Sequence, residues 1–117
     1  MLVLDASVAF HACATAKGFD EFTDEQLVAP PLMWSEARSA IHELAWRGQI
    51  TEIDAAATHA RLEACPVEVR APAQLGAQAW RLADELGWAK TYDAEYLALA
   101  QLLDCRLVTL DSRLRRA

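Results

Sequence analysis

Thr91-Tyr92-Asp93-Ala94-Glu95-Tyr96-Leu97-Ala98-Leu99-Ala100-Gln101-Leu102-Leu103-Asp104-Cys105-Arg106-Leu107-Val108-Thr109-Leu110-Asp111 decides how this sequence folds. It opens with an acid at the expected start of an apolar helix and closes with one just past an apolar strand. A helix feeding a buried strand is one step of an α/β sheet. Leu97, Ala98, Ala100, Gln101, Leu107 and Leu110 can bury the segment while Asp93 and Asp111 stay at its edges. Whether those two acids are helix caps or ligands depends on what the rest of the chain brings to them.

Working outward, the same grammar repeats. Leu2-Val3-Leu4 is a short buried-strand run, followed at once by Asp5-Ala6-Ser7, where Asp5 or Ser7 can cap a helix from Ser7 to Ala14. Lys17 to Gln26 is polar and reads as a loop or short helix. Leu27-Val28-Ala29 is a second strand, stopped by Pro30-Pro31. Trp34 to Arg47 carries Trp34, Ala37, Ile41, Leu44 and Ala45 at helical spacing, with Gly48 as the stop. Thr51 and Asp54 mark the start of a helix through Ala64. Val67-Glu68-Val69 is a third strand, and Pro72 is expected to open a helix through Leu86, ended by Gly87. A basic tail, Arg113–Ala117, closes the chain. The alternation β-α-β-α-α-β-α-α-β predicts a parallel sheet flanked by helices, as a single domain over residues 1–117.

Composition agrees with that size of core: 117 residues, 54% of them hydrophobic. No run approaches the roughly 18 apolar residues that span a bilayer. Met1–Asp5 has no basic stretch and reaches an acid too soon for a signal peptide, so a cytoplasmic protein is expected. Cys13, Cys65 and Cys105 form no CxxC pair and read as buried small apolar residues. The net charge of −6 argues against a basic-patch nucleic-acid binder. Its distribution is uneven: residues 1–58 hold 9 acids and 3 bases, residues 59–117 hold 8 of each. Reserving carboxylates for a divalent ion would also give an acidic total.

In open α/β sheets, sites form beyond the carboxyl ends of the strands. Asp5 and Asp111 follow strands directly, while Asp93 and Glu36 fall near the starts of helices that can face the same edge. Taken singly, Asp5 and Asp93 read equally well as caps, Asp111 as a turn residue, and Glu36 as an acid favoured by the helix dipole. Together, four converging carboxylates would repel unless a cation were present, and all-oxygen sites suit hard ions such as Mg²⁺ or Mn²⁺. Ser7 and Thr109 are hydroxyls placed to orient those carboxylates, or else a cap and a strand residue.

Other chemistry is excluded by inspection. His42-Glu43-Leu44-Ala45-Trp46 lacks the second histidine of a zinc-protease helix, and His11 and His59 have no partner at ligand spacing. There is no phosphate-binding glycine loop and no GxSxG turn. Trp34, Trp46, Trp80 and Trp88 are expected on helices, as core or interface rather than as stacking platforms. Glu43 and Glu95 read as solvated-face acids.

Four segments carry a family resemblance: Leu2-Val3-Leu4-Asp5-Ala6-Ser7; Ser35-Glu36-Ala37 with Ser39-Ala40-Ile41; Tyr92–Ala100; and Leu107-Val108-Thr109-Leu110-Asp111. In order and over nearly the whole chain, they resemble the PIN-domain ribonucleases, and among these the VapC-type toxins of bacterial toxin–antitoxin pairs. The resemblance implies an α/β/α three-layer sandwich around a short parallel sheet, with an acidic pocket for Mg²⁺ or Mn²⁺. It also implies endoribonuclease cleavage of structured RNA such as tRNA or rRNA, a homodimer, and inhibition by a cognate antitoxin. Asp5, Glu36, Asp93 and Asp111 become the catalytic and metal-binding quartet, supported by Ser7, Ser39 and Thr109. Lys90, Arg113, Arg115 and Arg116 are the expected RNA contacts.

Two features depart from the family pattern. Ser39 stands where relatives often have Asn. The sequence also ends six residues after Asp111, where relatives continue through a short helix into a final edge strand, so that strand is expected to be missing and the sheet edge exposed. The second departure motivates an alternative, a catalytically silent module that binds RNA or a partner protein. A phospho-acceptor aspartate with Lys90 as its counter-cation is a third reading, weakened because Leu4-Asp5-Ala6-Ser7 lacks the second acid of aspartyl-phosphate phosphotransferases.

Overall fold

Leu2–Leu4 forms β1, the strand at the heart of the sheet, with β2 (Leu27–Ala29) parallel on one side and β4 (Arg106–Val108) parallel on the other. β3 (Val67–Val69) pairs beyond β2, giving the order β3-β2-β1-β4. The computed structural model describes all residues 1–117. Between the strands lie α1 (Ala6–Ala14), a short 3-10 turn (Asp20–Phe22), α2 (Leu32–Trp46), α3 (Glu52–Glu63), α4 (Leu75–Leu86), α5 (Tyr92–Leu103) and the terminal α6 (Ser112–Arg116).

The strand order explains the layers. The chain steps from β1 to β2 to β3 in one direction, then crosses to the far side of β1 for β4. Right-handed crossovers therefore put α1, α2 and α3 on one face and the α4–α5 pair on the other. The packing agrees: α1, α2 and α3 touch one another, α4 packs on α5, and α5 lies against β1 and β4. This is the expected α/β/α sandwich. With both faces covered, β1 and β2 are apolar at every position rather than alternating, and Val3, Leu4, Val28 and Ala29 are fully buried.

Local chemistry sets the ends of the elements. The Asp5 side chain accepts from the Val8 amide to cap α1, and the Thr51 hydroxyl accepts from the Asp54 amide to cap α3. Gly87, at φ 70, ends α4 in the left-handed conformation that costs glycine least.

Several expectations shift. α2 starts at Leu32 rather than Trp34, because the Pro30 carbonyl already accepts from the Met33 amide (3.0 Å). α4 starts at Leu75 rather than Pro72, whose carbonyl accepts from the Leu75 amide in a preceding turn. Trp88 lies in the loop after Gly87, not on a helix. The basic tail is itself helical, as α6, because Asp111 caps it and Leu114 is buried under it. Only Cys13 is fully buried among the cysteines. β4 is an edge strand, with the charge of exposed Arg106 on it, and α6 follows.

Leu4→Ala is expected to cost about 2–5 kcal/mol in urea unfolding, because it opens a cavity in the central strand. Trp46→Ala, at a residue 80% exposed, should change stability by no more than about 0.5 kcal/mol.

Candidate active site

β1 and β4 are neighbours, with α1 leaving β1 on one face of the sheet and α5 leading into β4 on the other, so a crevice opens beyond their carboxyl ends. Asp5 is the residue after β1, and Thr109 to Asp111 follow β4. The two-residue link Asp104–Cys105 makes α5 end at the entrance to β4, which puts the helix start, with Asp93 as its second residue, at the crevice. α2 leaves β2 through Pro30-Pro31, and Glu36 sits in its second turn above the same edge.

Hydrogen bonds link Asp5, Asp111 and Asp93, and Glu36 is held separately by Tyr96. Ser7 Oγ donates to Asp5 Oδ1 (2.6 Å) and accepts from the Leu110 amide (3.1 Å). The Val8 amide also donates to Asp5 Oδ1 (3.1 Å), and the Thr109 hydroxyl donates to Asp5 Oδ2. Thr109 Oγ1 accepts in turn from the Asp111 amide (2.9 Å). On the other side, the Tyr96 hydroxyl donates to Glu36 Oε1 (2.5 Å). Glu36 and Asp93 line one cleft with Trp88, Lys90, Tyr92 and Arg113. Arg113 links Asp93 to Asp111: its guanidinium pairs with Asp93 and lies 4.7 Å over the Trp88 ring, while its backbone amide donates to Asp111 Oδ1 (2.8 Å).

Charge leaves its mark on the neighbours. The Tyr96 phenol is pushed up, first by burial, then by its hydrogen bond to Glu36 and the charges of Glu36 and Asp5. Tyr96 therefore stays a donor to Glu36 at any ordinary pH and feels the charge of both carboxylates. Glu95 is pushed up by burial and then by Glu36. It is a half-buried acid at the site margin, not the solvated-face residue its sequence position suggests.

The geometry corrects the expectation of a single carboxylate cluster. No three Asp, Glu, His or Cys side chains are grouped to hold one ion among themselves. Like charges stay apart, and each acid has its own donor: hydroxyls for Asp5, a phenol for Glu36, a guanidinium for Asp93, a backbone amide for Asp111. The donor chemistry still fits a hard divalent ion, since it consists of carboxylate oxygens and hydroxyls with no thiolate or imidazole. Mg²⁺ commonly takes one or two carboxylates directly and keeps several waters.

Ser7 and Thr109 both donate a hydroxyl to Asp5. Ser39 is exposed and lines a different cleft with His42 and Glu43. Of the basic residues, Arg113 and Lys90 line the cleft, and Arg115 Nε donates to the Thr109 carbonyl (3.1 Å). Arg116 is exposed at the end of α6. A more apolar cleft between α2 and α3, lined by Ile41, Ala45 and Trp46 among others, includes none of the four acids. Sequence reasoning gave no role to Tyr96, although it stands three residues from Asp93 and thus on the same helix face. It also missed the Trp88–Arg113 stack, which joins the loop after α4 to α6 and has no local signal.

Because burial favours neutral Glu95 in the folded chain, its contribution to stability is full below the ordinary carboxyl value of 4.5 and is lost as pH rises through the raised value. Glu95→Gln should therefore exceed wild type in thermal stability at neutral pH in metal-free buffer. The two should converge at about pH 4, where the unperturbed carboxyl titrates. A gap that widens on acidification contradicts the assignment.

Comparison with known proteins matches this architecture. A family model described as PIN domain matches residues 2–117. VapC ribonuclease Mb0985 of Mycobacterium bovis and ribonuclease VapC9 of Mycobacterium tuberculosis are each 35% identical to the chain over 118 aligned residues, covering 97% of it and 88% of the relative. The crystal structure of PAE2754 from Pyrobaculum aerophilum superposes with a TM-score of 0.78 at 26% identity, over 98% of this chain and 84% of that one. Mycobacterium tuberculosis VapC20, a sarcin-ricin loop cleaving toxin, shares the fold with a TM-score of 0.69 at 17% identity, over 99% of this chain and 94% of that one. With the family model spanning all but the first residue, and with acids following the two strands that flank the crevice, this chain belongs to the PIN-domain family.

Proposed function

We propose that the chain is a metal-dependent endoribonuclease of the VapC kind, the toxin of a toxin–antitoxin pair, working at the β1/β4 crevice. The observation that carries the reading is the run of hydrogen bonds linking Asp5, Asp111 and Asp93 through Thr109 and Arg113 at the topological switch point of the sheet, with Glu36 beside Asp93 in the same cleft. Full-length relatives named as ribonucleases support the activity.

In this reading the ion, Mg²⁺ or Mn²⁺, would be held directly by one or two of Asp5, Asp93 and Asp111 and through its own waters by the rest, with Glu36 holding it or one of those waters. The ion supplies Lewis acidity and a water of lowered pKa. The chain's own residues do the rest. Ser7 and Thr109 fix the Asp5 carboxylate from both oxygens, so it needs no reorganisation to act as a ligand. Tyr96 orients Glu36 through its hydroxyl. Lys90 and Arg113, beside the acids, meet the phosphate backbone of the strand, with Arg115 and Arg116 behind them on α6. The RNA is of the tRNA or rRNA class, and the setting is the cytoplasm. The partners are a cognate antitoxin and a second copy of the chain. Trp46, Ile53 and Trp80, each at least 67% exposed, offer apolar surface for such contacts. No helix is long and apolar enough to cross a membrane.

Incubation with total tRNA and rRNA in Mg²⁺ or Mn²⁺ tests the activity. Cleavage should stop on chelation. Thr109→Val should lose about 10–100-fold, as for other outer partners of metal ligands, and Asp5→Asn and Asp93→Asn should lose more. Equal cleavage by wild type and both Asn variants would overturn the assignment, and a folded wild type that titrates no Mn²⁺ would favour a silent binding module.

A further inference from the structure

Tyr92 and Trp88 are left without a role by the hydrogen-bonded carboxylates, yet they flank them. Tyr92 opens α5 immediately before Asp93 and is 54% exposed. Trp88 is half-buried against the core, and the guanidinium of Arg113 covers one face of its ring. Between them in sequence stands Lys90, which forms no ion pair, whereas the charge of Arg113 is met by Asp93. These four residues share a cleft of about 350 Å³ with Glu36 and Asp93. That volume is in the range of small-ligand sites, about 300–1,000 Å³.

We propose that this cleft is a nucleotide subsite, taking one unpaired ribonucleotide next to the phosphate that is cut. Its base stacks on Tyr92, with the Trp88–Arg113 layer as the opposite wall, and its phosphate rests on Lys90. The inference rests on the ribonuclease reading and adds the residues that seat the nucleotide: Tyr92, Lys90 and the Trp88–Arg113 pair. The chemistry of the cleft selects this occupant. Every base has a π-face, so aromatic rings bind unpaired bases with little regard to sequence, and guanidinium planes stack on bases too. A paired base in a duplex cannot offer its face. The charges inside the cleft balance, Lys90 and Arg113 against Glu36 and Asp93, so stacking rather than net charge must provide much of the hold. That accounts for nucleic-acid binding by a chain of net charge −6.

Anisotropy of a short fluorescein-labelled single-stranded RNA of mixed sequence tests the subsite, measured in Ca²⁺ with gels checking that the probe stays intact. Cleavage of total tRNA in Mn²⁺ is followed in parallel. Tyr92→Ala should bind roughly tenfold more weakly, in line with the loss of one base–aromatic stack. Tyr92→Phe, which keeps the ring, should match wild type. Lys90→Ala should weaken binding and lower the slope of log affinity against log salt by about one, the signature of one lost phosphate contact. Circular dichroism melts, expected to be unchanged at these exposed positions, confirm that each variant folds. If wild type cleaves tRNA while Tyr92→Ala and Lys90→Ala bind the probe as it does, the subsite is wrong and the nuclease reading stands. A wild type that cleaves tRNA but ignores the single-stranded probe also overturns the subsite. A wild type that neither binds nor cleaves RNA overturns both.

Discussion

The structure depends on how Asp5 is kept in the interior. A carboxylate that is 4% exposed has lost its water and persists only if donors replace it. Two of those donors, the Ser7 hydroxyl and the Val8 amide, come from the same turn. The third, the Thr109 hydroxyl, comes from the far end of the chain, just past β4. Pairing β4 on β1 and solvating Asp5 are therefore one event. The Leu110 amide on Ser7 ties the same two segments a second time. A single aspartate thus caps a helix, reports that the sheet has closed, and presents its charge to the crevice.

The other acids are treated according to their burial. Asp5, the deepest, is held by neutral hydroxyls and an amide; a guanidinium there would need its own desolvation. Asp93 lies at the open side, and only there is the partner an ion, Arg113, itself more than half exposed. Glu36 takes the one donor that can reach it from inside, the phenol of Tyr96, which is 1% exposed. Neutral partners inside and a charged one outside give the crevice a graded electrostatic floor without burying an uncompensated cation.

Element order was legible because the chain punctuates it plainly. Apolar triplets end at Asp5 and at Pro30-Pro31, and helices end at Gly48 and Gly87. The edge to which Asp5 and Asp111 belong was equally readable, since each follows a strand. What the sequence could not reveal is register between elements. The meeting of Tyr96 with Glu36, or of Arg113 with Trp88, depends on how α5 sits against α2 and α6, and side-chain spacing within one helix is silent on that. For the same reason the sequence assigns the acids to one edge but does not give their spacing, and in the structure no three of them are grouped. Local donors separate them. α6 escaped notice because five residues carry too little periodicity, and only its cap at Asp111 and the single apolar Leu114 mark it.

The link between α5 and β4 has a consequence for how this molecule tolerates change in length. Asp104 turns the chain at φ 52, Cys105 follows, and the strand begins. With no slack there, helix and strand behave as one rigid lever with Asp93 at one tip and Thr109 at the other. An inserted residue would rotate or shift one tip relative to the other, misaligning the crevice and the core side chains that α5 contributes. The exposed segment around Asp20–Glu25 has no such duty. Length variation in descendants of this chain, or a peptide grafted into it, belongs in that segment and not in the lever.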